Sequence, residues 1–221
     1  MSAHSPDDSN GEYLAQRDKV SVPTKTGKPN PQGKGQIGFL RDWDYSCPHN
    51  VVTKPAPQLL ADYFTSLLVL SASFRFKPAF ETDYYLYLED EAWTLSLISP
   101  TEWKTEEKNS AFVGRCVLHQ DATWSITPSD NVQHRGPVST ALAGFYARFV
   151  EKLSTANPLE DELPVYVAEL PYFQRLFAAA LSRSLKQSMR QGARTGIAST
   201  RWLDEIPYDP SQILLVRSAI K

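Results

Sequence analysis

Two cysteines and four histidines carry the most reactive side chains in the 221 residues. Cys47-Pro48-His49 and Cys116-Val117-Leu118-His119 each set a thiol near an imidazole, the ligand types zinc prefers and the partners a thiolate nucleophile needs. The spacings do not suit a structural zinc knuckle, whose cysteines lie two to four residues apart. On a strand, residues 116 and 119 also point to opposite faces. A thiolate–base pair requires Cys47 to meet His49 or His119 in space, and nothing local brings them together. Two free thiols are expected, with Cys116 acting as a small buried hydrophobe.

Other reaction signals are fragments. No G-x-S-x-G elbow marks a serine nucleophile. Glu81, Asp83, Glu89, Asp90, Glu91, Glu102, Glu106 and Glu107 would supply acid–base pairs, but most fall in expected turns, where solvation keeps carboxylates untuned. Gly33-Lys34-Gly35 lacks the spacing and the preceding strand of a phosphate loop. No catalytic, metal or cofactor-binding residue is assigned, and no cofactor is expected.

Binding signals are broader. From Arg175 through Arg183, Lys186, Arg190, Arg194 and Arg201 no acidic residue occurs before Asp204. Tyr85, Tyr87 and Trp124 are aromatics that an exposed sheet would present, and Trp103 falls on the short helix expected between the hairpins. Together they suit nucleic acid if the cations share one exposed face. The plain alternatives are tyrosines packed under a helix, tryptophans anchoring a core, and cations paired with the acidic hairpins. Tyr85, Tyr87, Trp103, Trp124, Arg183, Lys186 and Arg190 form the candidate binding surface. Ala178, Ala179, Ala180 and Ser182 make the same helix look packed against others rather than laid on a membrane.

The elements that would position these residues follow from periodicity. Residues 1–36, rich in Ser, Asp, Gly, Pro and Lys, read as a flexible tail, basic through Arg17, Lys19, Lys25, Lys28 and Lys34. Order is expected from Ile37. A helix with Pro57 in its first turn carries Leu60, Tyr63, Phe64, Leu67, Leu68 and Ser71 on one face. From Ser73 to Ile126 the pattern alternates. Tyr84–Leu88 and Trp93–Leu97 pair about a turn at 89–92, and 112–118 pairs with Trp124–Ile126 about 120–122. Ser99-Pro100-Thr101-Glu102 is a capping box that starts a short helix bearing Trp103. Leu142, Phe145, Tyr146, Phe149 and Leu153 mark a further helix. Phe173, Leu176, Phe177, Ala180, Leu181, Leu185 and Met189 mark another, broken by Gly192 and Gly196. Asp209-Pro210 caps a terminal helix ending in LLVRSAI.

The expected fold is α+β: a small antiparallel sheet of two hairpins, preceded by one helix and followed by C-terminal helices. Residues 37–130 form the helix-plus-sheet region, and 131–221 a helical region packed on the same core. Apolar residues are 42% and charged residues 22%, the balance of an ordinary globular protein, and a net charge of −2 gives no general pull toward nucleic acid or membrane. Residues 1–16 lack the apolar run of an export signal, and no stretch has the length of a membrane span. A soluble, cytoplasmic protein without membrane insertion is expected.

YYLYLEDEAWTLSLISPTEW at 84–103 and FVGRCVLHQDATW at 112–124 resemble the family catalogued as domain of unknown function 2452. Its pattern is a preceding helix, a tyrosine-rich strand, an ISP-EW-type turn and a G…L…D..W hairpin. The matching residues here are Tyr84, Tyr85, Leu86, Tyr87, Leu97, Ile98, Ser99, Pro100, Glu102, Trp103, Gly114, Leu118, Asp121 and Trp124. The resemblance covers about forty residues, leaves out the tail and the C-terminal helices, and carries no activity or cofactor with it. The leading expectation is a non-catalytic intracellular binding or adaptor protein that contacts another protein. The alternatives are an enzyme with a dispersed Cys/His or carboxylate site, and nucleic-acid binding through 175–201.

Overall fold

A computed structural model describes residues 34–165, 170–207 and 209–216. The expected tail before residue 34 and the last residues of LLVRSAI lie outside them. Contacts divide the chain into two units, Met1–Leu40 and Arg41–Lys221. The first helix, α1, spans Lys34–Tyr45. It begins before the expected onset of order at Ile37.

In the second unit, α2 (Ala56–Leu70) is the central element. Pro55 and Pro57 pre-set its first turn, where missing N–H groups cost nothing. The sequence predicts a single buried stripe, but eleven residues of the helix are buried, from Leu59 round to Leu70. Leu67 is only partly buried and Ser71 is exposed. A run as apolar as LLADYFTSLLVL has to be covered on nearly all sides, and the sheet and three later helices do this.

The strands are β1 (Asp83–Glu89), β2 (Ala92–Ser96), β3 (Phe112–Leu118) and β4 (Trp124–Pro128), all antiparallel in the order β2-β1-β3-β4. The fold is α+β, with both expected hairpins joined through β1 and β3. Asp90 and Glu91 turn the first hairpin with φ of 47° and 62°. This is the positive-φ pair that a two-residue turn demands. Between Leu86 and Tyr87 the β1–β3 register shifts by a bulge. Nearby, a Cβ on Gly114 would stand 2.6 Å from the Thr127 carbonyl oxygen, so only glycine lets β3 and β4 approach there.

One face of the sheet buries Tyr84, Leu86, Trp93, Leu95, Cys116, Leu118, Trp124 and Ile126 against the helices. On that side stand α5 (Pro137–Leu153), α6 (Tyr172–Gln191), α7 (Ser199–Leu203) and α8 (Pro210–Leu215). Phe64 of α2 meets Phe145, Tyr146 and Phe149 of α5 edge-on at 5.2–5.8 Å between ring centres. One hydrophobic cluster runs from Leu59 to Leu214, linking residues before and after 130. Two short helices, α3 (Pro100–Trp103) and α4 (Glu106–Ala111), join the hairpins. At α3 the capping box forms as the sequence predicts: the Ser99 N–H donates to Glu102 Oε2 at 2.8 Å.

Candidate functional site

Alternation along β1 sends Tyr84 and Leu86 into the core and Asp83, Tyr85 and Tyr87 to the opposite face. The register places Ser96 and Arg115 beside Tyr85, and Thr127 beside Arg115. Asp83, Arg115 and Thr127 are exposed, and Tyr85 is half-buried with its ring 6.3 Å from that of Phe112. Arg115 Nη1 donates to Asp83 Oδ2 at 3.1 Å across the strands. This face is open to solvent over the middle of the sheet.

At one end of the face the chain folds back. Tyr87, expected to be exposed, is fully buried. Its hydroxyl donates to the Ile98 carbonyl at 2.9 Å, and its ring lies 5.5 Å from Phe112 and 5.9 Å from the Lys108 ammonium. The bulge beside Tyr87 and the α3–α4 connection cover it. Burial, with the nearby Tyr85 and Glu89, pushes its phenol up to about 12. Lys108 also pairs with Glu89 and lies 4.7 Å over the Trp103 ring. The same connection leaves apolar groups outside: Leu97 is 58%, Ile98 40% and Trp103 38% exposed. Asp90, Glu91, Glu106 and Glu107 are exposed in these turns.

The remaining expected surface residues are elsewhere. Trp124 is a core residue, edge-on to Tyr84 at 5.7 Å, with its backbone N–H donated to Ser66 Oγ. It alternates inward on β4, so it cannot line a surface. Arg183, Lys186 and Arg190 lie on α6, which packs on α2 in the helical layer behind the sheet. The structure therefore separates them from Tyr85 and Trp103. Arg183 stacks 4.3 Å over Trp43 and donates to Cys47 Sγ at 3.4 Å. Arg194 donates to the Lys54 carbonyl at 2.5 Å. Lys186 is half-buried and Arg190 exposed. With Arg183 and Arg194 turned to internal acceptors, the basic stretch is not one open cationic face.

Cys116 is sealed in the core, and burial pushes its thiol far above the usual range. Cys47 donates to the Trp43 carbonyl, while His49 is exposed and reaches the 119–123 turn through its backbone N–H, 2.7 Å from the Gln120 carbonyl. His119 is occupied otherwise: its Nε2 lies 2.7 Å from Ser125 Oγ and its Nδ1 3.4 Å from Glu81 Oε2. This Ser125–His119–Glu81 relay is invisible locally, because only the β3–β4 register brings Ser125 beside the end of β3. Among the described residues no cluster of three His, Cys, Asp or Glu side chains is disposed to hold a metal ion.

A second missed grouping is internal. Lys54 contacts Asp62 of α2 and Asp121 of the β3–β4 turn, and all three are buried. Asp62, set in the apolar run of α2, was the one local sign of it. No helix of the described residues is long and apolar enough to cross a membrane. In comparisons with known proteins, no family model, curated protein or solved structure matches the chain.

Proposed function

We propose that this protein is a non-catalytic cytoplasmic binding module that docks another protein on the open face of its sheet and the adjoining 97–103 rim. The observation that carries the reading is the exposure of Leu97, Ile98 and Trp103 on one short segment, beside the half-buried Tyr85. Clustered apolar side chains at a solvated edge mark interaction surfaces, and tryptophan and tyrosine are enriched at binding hot spots. The exposed carboxylates Asp90, Glu91, Glu106 and Glu107 favour a partner segment that combines apolar and cationic side chains. The likeness of 84–124 to domain of unknown function 2452 covers this same surface.

The test is capture of partners from native extract with nuclease present, using the natural chain and a Leu97→Asp/Trp103→Glu variant. A partner held by the natural chain and lost by the folded variant supports the reading. One retained equally by both contradicts it.

The Ser125–His119–Glu81 relay favours a second reading, a serine-dependent enzyme. It supplies a hydroxyl, a base and a carboxylate that orients the base. A fluorophosphonate probe separates the two. The binding reading expects no label on Ser125, whereas labelling that His119→Ala abolishes favours the enzyme. Nucleic-acid binding through 175–201 has the least support, given the inward commitments of Arg183 and Arg194.

A further inference from the structure

A cleft of about 370 Å³ opens in the helical layer where α2 begins. The α2 entry at 55–57 forms one wall, and the segment between α6 and α7, with α7 itself, forms the other. None of its residues belongs to the open sheet face or the 97–103 rim. The second wall is pinned to the 157–160 segment. Leu159 donates its N–H to the Ile197 carbonyl at 3.2 Å, Ser199 its N–H to the Asn157 carbonyl at 2.8 Å, and Gly196 its N–H to Glu160 Oε1 at 2.7 Å.

Three features of this cleft favour a negative charge. No side chain caps α2, and with proline at 55 and 57 the N–H groups of its first turn come from Ala56 and Gln58, at the positive end of the helix. Arg194 donates through Nη1 to the Lys54 carbonyl at 2.5 Å, which fixes its guanidinium beside α2 and leaves its other donors uncommitted. Arg201 is exposed and has no ion-pair partner among the described residues. Trp202 also borders the cleft, yet it is 2% exposed and its indole N–H is buried without an acceptor. Buried donors are nearly always met, so this one points to an acceptor supplied by a ligand. Trp124 leaves its indole N–H unmet as well, but inside the core against Tyr84.

Glu205 limits the charge of that ligand. Two guanidiniums and one carboxylate leave the lining with one net positive charge, which a monoanion balances and a dianion exceeds. Pro55, Pro57, Ile197 and the Trp202 ring supply apolar walls, and the volume falls in the roughly 300–1,000 Å³ range of small-molecule sites. We propose that this cleft binds a small free monocarboxylic acid with an apolar aryl or alkyl body. The guanidinium forks of Arg194 and Arg201 match a planar carboxylate, with the first-turn N–H groups and the Trp202 N–H completing the donor set. The apolar body lies against the prolines and the indole. This site does not depend on the partner surface of the sheet and is tested apart from it.

The test follows the indole N–H resonances of the five tryptophans in the full chain while ligands are added one at a time. The Trp202 signal is identified by its loss in Trp202→Phe or, should that variant not fold, by its connection to the Trp202 backbone resonances. The probes are 3-phenylpropionate, hexanoate, the neutral 3-phenylpropionamide and inorganic phosphate. Both carboxylates should shift the Trp202 signal saturably in the millimolar range or below, the amide should not, and phosphate should bind more weakly than either acid. Arg201→Gln alters an exposed side chain and should weaken 3-phenylpropionate on the order of tenfold in a folded protein. Absence of a saturable shift with both acids, an equal response to acid and amide, tighter binding of phosphate than of the acids, or unchanged affinity in Arg201→Gln would each overturn the proposal.

Discussion

Lys54 and Asp121 lie 67 residues apart in the chain, yet their side chains meet at 2.6 Å in the interior. The contact ties the entry to α2 to the turn between β3 and β4. Replacing Lys54 by methionine leaves Asp62 and Asp121 buried without their cation. Removing one partner of a buried ion group costs about 3–5 kcal/mol. Urea unfolding should show a lower midpoint with little change in slope. A loss below about 1 kcal/mol would mean that the carboxylates find water or another partner.

Tyr87 gives a prediction with a pH signature. Its phenol is raised from 10.0 to about 12 in the folded chain, chiefly by burial. The folded state therefore holds this proton more tightly than the unfolded one. The corresponding stability is fully present below about pH 10 and is lost as the pH rises toward 12. Tyr87→Phe should lose this alkaline component of the natural chain's stability. At neutral pH it should cost about 1 kcal/mol, from the Ile98 carbonyl that loses its donor. Parallel unfolding curves at pH 8 and pH 11 measure the difference.

Gly114→Ala places a methyl against backbone. The added Cβ would meet the Thr127 oxygen at 2.6 Å and Ile126 Cγ2 at 2.7 Å. Neither can swing aside as a flexible side chain would, so β3 and β4 must part. A cost of about 1–3 kcal/mol is expected. Thermal unfolding checks it, and a neutral result would show that the strand pair is looser than its register implies.

Much of the fold was legible because it is written in local patterns. Alternating apolar residues at 84–88 and 93–97 announced the first hairpin, and Ser99-Pro100-Thr101-Glu102 announced α3. The helix α1 was not legible, since KGQIGFLRDWDY carries two glycines and no clear apolar stripe. The site was harder to read. Tyr87 looked exposed because it alternates with Leu86, but the bulge and the α3–α4 connection are tertiary events that no period reports. Arg183 read as a surface cation because nothing near it in sequence suggests Trp43 and Cys47. Both the Ser125–His119–Glu81 relay and the Lys54 cluster depend on long-range register. Only Asp62, a carboxylate in the apolar run of a buried helix, hinted at an internal partner.

The exposed rim gives the most selective prediction. Leu97→Asp/Trp103→Glu alters one largely exposed side chain and one, Trp103, that is 38% exposed beneath the Lys108 ammonium, so its stability should stay within about 1 kcal/mol of the natural chain. Loss of partner binding at unchanged stability would separate recognition from folding. Equal loss of both would assign these residues to the fold.

Amide hydrogen exchange on the purified chain, alone and with its captured protein partner, tests the central claim most directly. The open-face account predicts slowed exchange in β1, β2 and residues 97–103, with α6 unchanged. Slowed exchange confined to α6 around Arg183, Lys186 and Arg190, with the sheet unaffected, would contradict it.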